Sequence, residues 1–274
     1  MGKKVGLALG GGGAKGLAHI PVLEVLDEYG IRPKAIAGSS IGAIIGAIYA
    51  SGIKATEIRD FIDAHFLLKK KLQFLRQDSR NFMKIVKLLD IDIQGTGLIR
   101  GENFSHFLYG ILETEFLEDL EIPLAVIATD FHDSSQLVIR EGPIIPALKA
   151  SMSVPGVFSP SIYLNRVLID GSCVNPVPWD VLSGCNLRIA VSVLGRTAMR
   201  PDGTPPRVAR IVLEAFDIPQ RSIVAQKYQH DPPDILLDPP ITGVGLFDFA
   251  KANEIYRMSE GIVGQLKRFL DRAL

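Results

Sequence analysis

Residues 34–50 read KAIAGSSIGAIIGAIYA, and the architecture can be worked out from this stretch. Lys34-Ala35-Ile36-Ala37-Gly38 has the look of a short buried strand. From Ser40 onward Ile41-Gly42-Ala43-Ile44-Ile45-Gly46-Ala47-Ile48-Tyr49-Ala50 is apolar on every side, as expected of a helix enclosed by the fold. Strand and helix are joined through Gly38-Ser39-Ser40-Ile41-Gly42, a G-x-S-x-G string with almost no loop. A serine on so tight a turn exposes its hydroxyl at the helix N-terminus, where the positive dipole end favours developing negative charge. Gly38 and Gly42, two residues either side, let the two backbones approach. A structural tight turn capped by Ser39 or Ser40 is the plainer explanation of the same string.

Working back toward the start, KKVGLAL at 3–9 reads as a buried strand and runs into four glycines at 10–13. A helical pattern follows, with Leu17, Ile20, Val22, Leu23, Val25 and Leu26 largely on one face, and Gly30 ends it. Strand, helix, strand, helix with short connections predicts an α/β fold with three layers, a central mostly parallel sheet flanked by helices. Strands are expected again at 123–128 and 136–140, in a hairpin around Asn165-Arg166, at 187–195 and at 235–237. Helices are expected at 143–152, 207–229 and 248–274. Several helical patterns across 54–118 point to a cap-like insertion in a single unit spanning 1–274, and 199–206 reads as a loop.

Gly11-Gly12-Gly13-Ala14-Lys15-Gly16 also fits G-x-G-x-x-G between a strand and a helix. A dinucleotide site would place an acidic residue at the end of the second strand, and this strand ends in Gly38-Ser39-Ser40. A P-loop would need Ser or Thr after Lys15, where Gly16 stands. Bare backbone N–H groups in such a loop suit an oxyanion as well as a phosphate. Asp170-Gly171-Ser172 closes a strand pattern, VLID. Aspartate, with a pKa of ~3.9 in water, is a poor base, and partial burial beside a hydroxyl would improve it. Alone, Asp170-Gly171 is an ordinary turn.

Together G-G-G-A-K-G, G-S-S-I-G and D-G-S resemble the patatin-like phospholipase family, as do KVGLALGGGGAKGLAHI at 4–20, IATD at 127–130 and ALKASMSVPGVFSP at 147–160. The resemblance covers about residues 4–195. It implies a Ser–Asp dyad without a catalytic histidine: Ser40 as nucleophile, Asp170 as proton acceptor and Gly11, Gly12 and Gly13 as oxyanion loop. Gly16, Gly38, Gly42 and Gly171 support these motifs. It also implies hydrolysis of phospholipid or simpler acyl esters, with no metal or cofactor. One departure stands at Ser172, where the family usually carries Gly or Ala.

The remaining features bound this reading. A triad in the order Ser, Asp, His would need His230, the only histidine after Asp170, in the proline-bounded HDPPD. His19, His65, His106 and His132 read as structural, and Asp130 as a loop-orienting rival to Asp170. Residues 66–90 hold seven basic residues against Asp78 and Asp90; they form either a solvated cap face or a peripheral anchor on an anionic bilayer. Lys15 is either scaffold or a greeting for an anionic head group. Thirty acidic and thirty basic residues balance and give no sign of a nucleic-acid partner. Cys173 and Cys185 make neither a zinc spacing nor a disulfide framework and suggest a reducing, cytoplasmic setting. The apolar start VGLAL is too short for a signal peptide, and the uncharged run between Lys34 and Lys54 is too glycine-rich for a membrane span. The class-level alternative is a regulatory or nucleotide-binding protein that uses the glycine loop without turnover.

Overall fold

A computed structural model describes residues 3–64, 108, 110–195 and 208–274. The first strand, β1 (Val5–Leu9), is buried along its whole length, as a continuous apolar run must be when both sheet faces are covered. The glycines follow, and the expected helix begins as a tighter 3-10 turn over Gly13–Ala18 before α1 (His19–Glu28). Gly30, at φ 64°, turns the chain out of that helix. β2 (Ala35–Ser39) leads into α2 (Ile41–Ala50), every residue of which is buried. Then come α3 (Ala55–Ile62), β3 (Leu124–Asp130), β4 (Ser135–Ile139), α4 (Ile144–Ser151), β5 (Ser161–Tyr163), β6 (Arg166–Asp170) and β7 (Leu187–Val191). The chain ends through α5 (Val208–His230), β8 (Ile235–Leu237), α6 (Ala252–Met258) and α7 (Glu260–Ala273).

The sheet runs β5-β6-β3-β2-β1-β7-β8, with β4 also on β3. Its centre is parallel, with β1 on β2 and β7, β2 on β3, and β7 on β8, whereas the β3–β4, β3–β6 and β5–β6 pairs are antiparallel. This is the mostly parallel sheet flanked by helices that the sequence predicts. Alternate residues of each central strand face opposite layers. On one side Leu7, Leu9, Ile36, Val126, Ile189 and Val191 join the larger core with α1, α2, α4 and α7. On the other, Ala125, Ala37, Ala8 and Ala190 are register partners across four strands and form an alanine row. That row belongs to a second cluster with the fully buried Trp179 and with Val224 of α5. Small side chains in the row leave the room that the indole fills.

One pairing detail positions the site. β4 pairs with Val126–Asp130 of β3, so β2 and β6 must share the opposite edge. β2 occupies that edge up to Ser39↔Ile127, and β6 takes it over from Asp170↔Ala128. The two strands therefore meet end to end along β3, and the residue that leaves β2, Ser40, comes up against the last residue of β6, Asp170.

The hairpin turn lies one residue earlier than expected. Tyr163 pairs with Arg166, so Leu164 and Asn165 form the turn, with φ 51° and 58°. Of the expected insertion at 54–118, α3 and the residues from 110 are described. The basic stretch 66–90, His65, His106 and the loop 199–206 lie outside the described residues. Among the described residues, no helix is long and apolar enough to cross a membrane.

Candidate active site

Ser40 sits at φ 53°, ψ −124°, a left-handed backbone that side chains rarely adopt. Such a conformation costs about 1–3 kcal/mol and persists only where the surroundings fix it. Here they do. Its carbonyl accepts the first bonds of α2, from Ala43 N–H at 2.9 Å and Ile44 N–H at 3.2 Å, and its own N–H donates to the fully buried Ser151 Oγ at 2.8 Å. The glycines around it leave no space for a side chain. A Cβ on Gly42 would lie 2.1 Å from Leu9 O, one on Gly38 would lie 2.5 Å from Ala43 Cα, and one on Gly16 would lie 2.4 Å from Ile41 Cγ2.

The glycine loop passes directly beside this elbow. A Cβ on Gly11 would stand 3.3 Å from Ser40 Cβ and 2.0 Å from Ser172 Oγ. Gly10 N–H donates to Val191 O at 2.9 Å and Gly11 N–H to Pro176 O at 3.0 Å. Among the described residues the N–H groups of Gly12 and Gly13 have no backbone acceptor. Gly13 takes φ 58° with Leu246 packed against it, so only glycine fits there. His19 is fully buried and donates Nε2–H to Gly10 O at 2.8 Å, and burial lowers its pKa to about 4. Its reading as structural matches this geometry, as a neutral prop beneath the loop. Lys15, left open by the sequence, is scaffold: its ammonium donates to Leu194 O at 2.6 Å and pairs with Asp217 at 3.0 Å.

Asp170 is 1% exposed. Its N–H donates to Ser153 O at 3.0 Å, its carbonyl accepts Thr129 Oγ1–H at 2.8 Å, and its Oδ1 accepts Ser172 N–H at 2.7 Å. Oδ2 is buried and closes no hydrogen bond of regular geometry, although the Ser40 and Ser172 hydroxyls lie beside the carboxyl. Burial pushes the carboxyl up from 3.8 to about 6, and the Ser40 hydroxyl, the Ser172 N–H and the Ser172 hydroxyl pull it back down. Gly171 follows against Ile127 O, where a Cβ would come within 2.2 Å. Asp130, the rival carboxylate, is buried but spent on Arg166 at 2.8 Å and on the N–H groups of His132 and Asp133. Those N–H groups and Arg166 hold its pKa below the usual carboxylate range. His132 lies on the adjoining turn and His230 at the exposed end of α5.

Three residues near the site escape a sequence reading. Ser151, inside the quoted ALKASMSVPGVFSP, holds the elbow N–H. Asn175, five residues after Asp170, accepts Ser39 Oγ–H at its carbonyl at 2.5 Å and donates its own N–H to Gly171 O at 2.9 Å, tying both halves together. Lys227, from α5, donates to Asn175 Oδ1 and Val177 O, both at 2.6 Å, and to Asp180 Oδ1 at 2.5 Å, and lies 4.1 Å over the Trp179 ring. None lies in the glycine loop, the elbow or the Asp-Gly turn itself, and each is brought to the site by tertiary contacts. Chemically, the arrangement offers a strained hydroxyl, a buried carboxylate of raised pKa and two amide donors with no backbone acceptor among the described residues. Among the described residues no cluster of side chains could hold a metal.

A family described as patatin-like phospholipase matches residues 7–183. An uncharacterized NTE family protein of Mycobacterium tuberculosis is 35% identical over 207 residues, which are 75% of this chain and 53% of that protein. A patatin-like phospholipase domain-containing protein of Caenorhabditis elegans is 30% identical over 284 residues, 94% of this chain and 20% of its own length. The chain thus spans about half the length of the mycobacterial relative, 53%, and less of the nematode one. Among solved structures, VipD from Legionella pneumophila superposes with a TM-score of 0.51 at 14% identity, over 96% of this chain and 67% of that one, a likeness of fold.

Proposed function

Because the chain belongs to the patatin-like phospholipase family, we propose that it is a serine hydrolase of lipid acyl esters, with Ser40 as nucleophile and Asp170 as its base. The unit is the whole span 1–274, with 54–118 as a cap-like insertion. One observation carries the reading: a serine held at φ 53° meets a carboxyl raised to about 6 where β2 and β6 abut on one edge of β3. A base works best when its pKa lies near the working pH, so burial makes Asp170 a better base than an aspartate in water. No histidine is needed, and His19 is spent beneath the loop.

In this mechanism Ser40 Oγ attacks the ester carbonyl carbon as its proton passes to Asp170. The carbonyl oxygen becomes an oxyanion, met by the N–H groups of Gly12 and Gly13 with the N-terminus of α2 behind them. Gly11, whose N–H is engaged by Pro176 O, contributes close approach to the loop. The alcohol leaves with the proton from Asp170. Water then attacks the acyl-serine, giving its proton to the same carboxylate, which returns it to Ser40 Oγ as the C–Oγ bond breaks and the acid departs. Losing one oxyanion donor typically removes about 2.7–4 kcal/mol of transition-state stabilisation.

A panel of p-nitrophenyl esters and phospholipids tests this, together with a fluorophosphonate probe. The wild type should turn over esters and label at Ser40. Ser40→Ala should lose both, and Asp170→Asn should lose at least about a hundredfold in kcat. Turnover retained in Ser40→Ala would end the reading; failure to label or turn over would favour a binding protein.

A further inference from the structure

Two buried polar atoms without a hydrogen-bond partner lie in a single turn of the candidate site: Asp170 Oδ2 and Ser172 Oγ. Both residues are sealed from solvent, at 1% and 2% exposure. An orphaned buried polar atom costs about 1–3 kcal/mol. These two are complementary, because a carboxylate oxygen can only accept and a hydroxyl can rotate to donate. The backbone of the turn already holds the pair together, with Ser172 N–H on Asp170 Oδ1 at 2.7 Å. Ser172 Oγ also overhangs Gly11, where a Cβ would come within 2.0 Å of it and within 3.3 Å of Ser40 Cβ. The hydroxyl is thus wedged between the glycine loop, the nucleophile and the base, and the proposed reaction does not use it.

We propose that Ser172 is a positioning residue, whose hydroxyl donates to Asp170 Oδ2, fixes the carboxylate toward Ser40 and sets the pH below which that carboxylate stops acting as a base. This rests on the acyl-hydrolase reading of the same site. The groups around the carboxylate are few. The β2–α2 turn presents the Ser40 hydroxyl, and its own turn presents Ser172 and the Cys173 thiol, which burial pushes up to about 12 and keeps neutral. β3 contributes Thr129, bonded to the Asp170 carbonyl, and Ser153 O takes the Asp170 N–H. Among the described residues no charged side chain acts on the carboxylate. The Ser172 N–H already bonds the carboxylate, the two hydroxyls are the neighbours that favour its charge, and removing the Ser172 hydroxyl leaves burial less opposed.

The test is the pH profile of kcat/KM on a soluble p-nitrophenyl ester, for wild type, Ser172→Ala and Ser172→Gly, with Ser40→Ala as blank. Both Ser172 variants should carry their acid limb to higher pH. At pH 5 the loss against wild type should exceed the loss on the plateau above pH 8 by at least about threefold. Superimposable limbs, or one uniform loss at every pH, would overturn the proposal. A 13C carboxyl titration of Asp170, assigned by its absence in Asp170→Asn, reads the same shift without turnover. A moved titration in a protein that hydrolyses nothing would uphold the Ser172–Asp170 link and sink the hydrolase reading instead; an unmoved one sinks the link.

Discussion

Replacing Asp170 by asparagine should stabilise the fold while removing the proposed activity. The folded protein holds the Asp170 proton more tightly than the unfolded chain does, since burial moves the carboxyl from 3.8 to about 6. The stability that goes with this proton is complete below about pH 4 and is lost as pH rises through about 6. At pH 7.5 the buried carboxylate is therefore a net penalty of about 3 kcal/mol, from 1.36 kcal/mol per unit of pKa. In Asp170→Asn the new side chain carries no charge and keeps an oxygen for the Ser172 N–H, so the expected gain is about 1–3 kcal/mol. The wild-type pH curve would hide this, because His19 opposes it. Its pKa is lowered from 6.5 to about 4, so its share of stability is present above about 6.5 and lost as pH falls through 4. Subtracting wild type from variant cancels His19. Urea unfolding at pH 7.5, 6 and 4.5 should give a stability difference that is largest at 7.5 and shrinks toward zero at the acid end. A destabilised Asp170→Asn at pH 7.5, or a difference that ignores pH, would refute the reasoning that ionising this buried carboxyl costs the fold stability.

Two further predictions concern the frame of the site. Ser40→Gly should be more stable than Ser40→Ala by about 1 kcal/mol, because φ 53° is strained for alanine and free for glycine; the urea midpoints of the two inactive variants decide it. Lys227→Met should lower both stability, by about 2 kcal/mol, and ester turnover, because it strips the donor from Asn175, Val177 and Asp180 behind both motifs; an unfolding curve and an activity assay on the folded fraction separate the two effects.

Much of this molecule is legible locally. The buried runs Val5–Leu9 and Ala35–Ser39, and the all-round apolar Ile41–Ala50, need no distant information, because their burial on both faces is written in consecutive residues. The elbow is equally local: glycines flank the serine because Leu9 O and Ala43 Cα leave no room for a Cβ. The turn at Leu164-Asn165 reads one residue off, since strand pairing at Tyr163↔Arg166 outweighs the preference that places Asn first in such turns. The tight 3-10 start of the first helix is also invisible in a string whose apolar spacing fits either form.

Read as a string, the chain says which atoms are on offer: a serine on a tight turn, a glycine loop rich in bare N–H groups, and an aspartate ending a strand. That they meet is a matter of topology, because β6 enters antiparallel and takes over the edge of β3 where β2 leaves it. Three-dimensional packing also selects which amides of the loop are free, with Gly11 N–H consumed by Pro176 O, and makes Lys15 and His19 structural. Local patterns fix backbone shape and burial, which depend on neighbouring residues. The meetings of Ser40 with Asp170, Gly11 with Pro176 and Lys15 with Leu194 join residues more than a hundred positions apart, and no spacing along the chain encodes them.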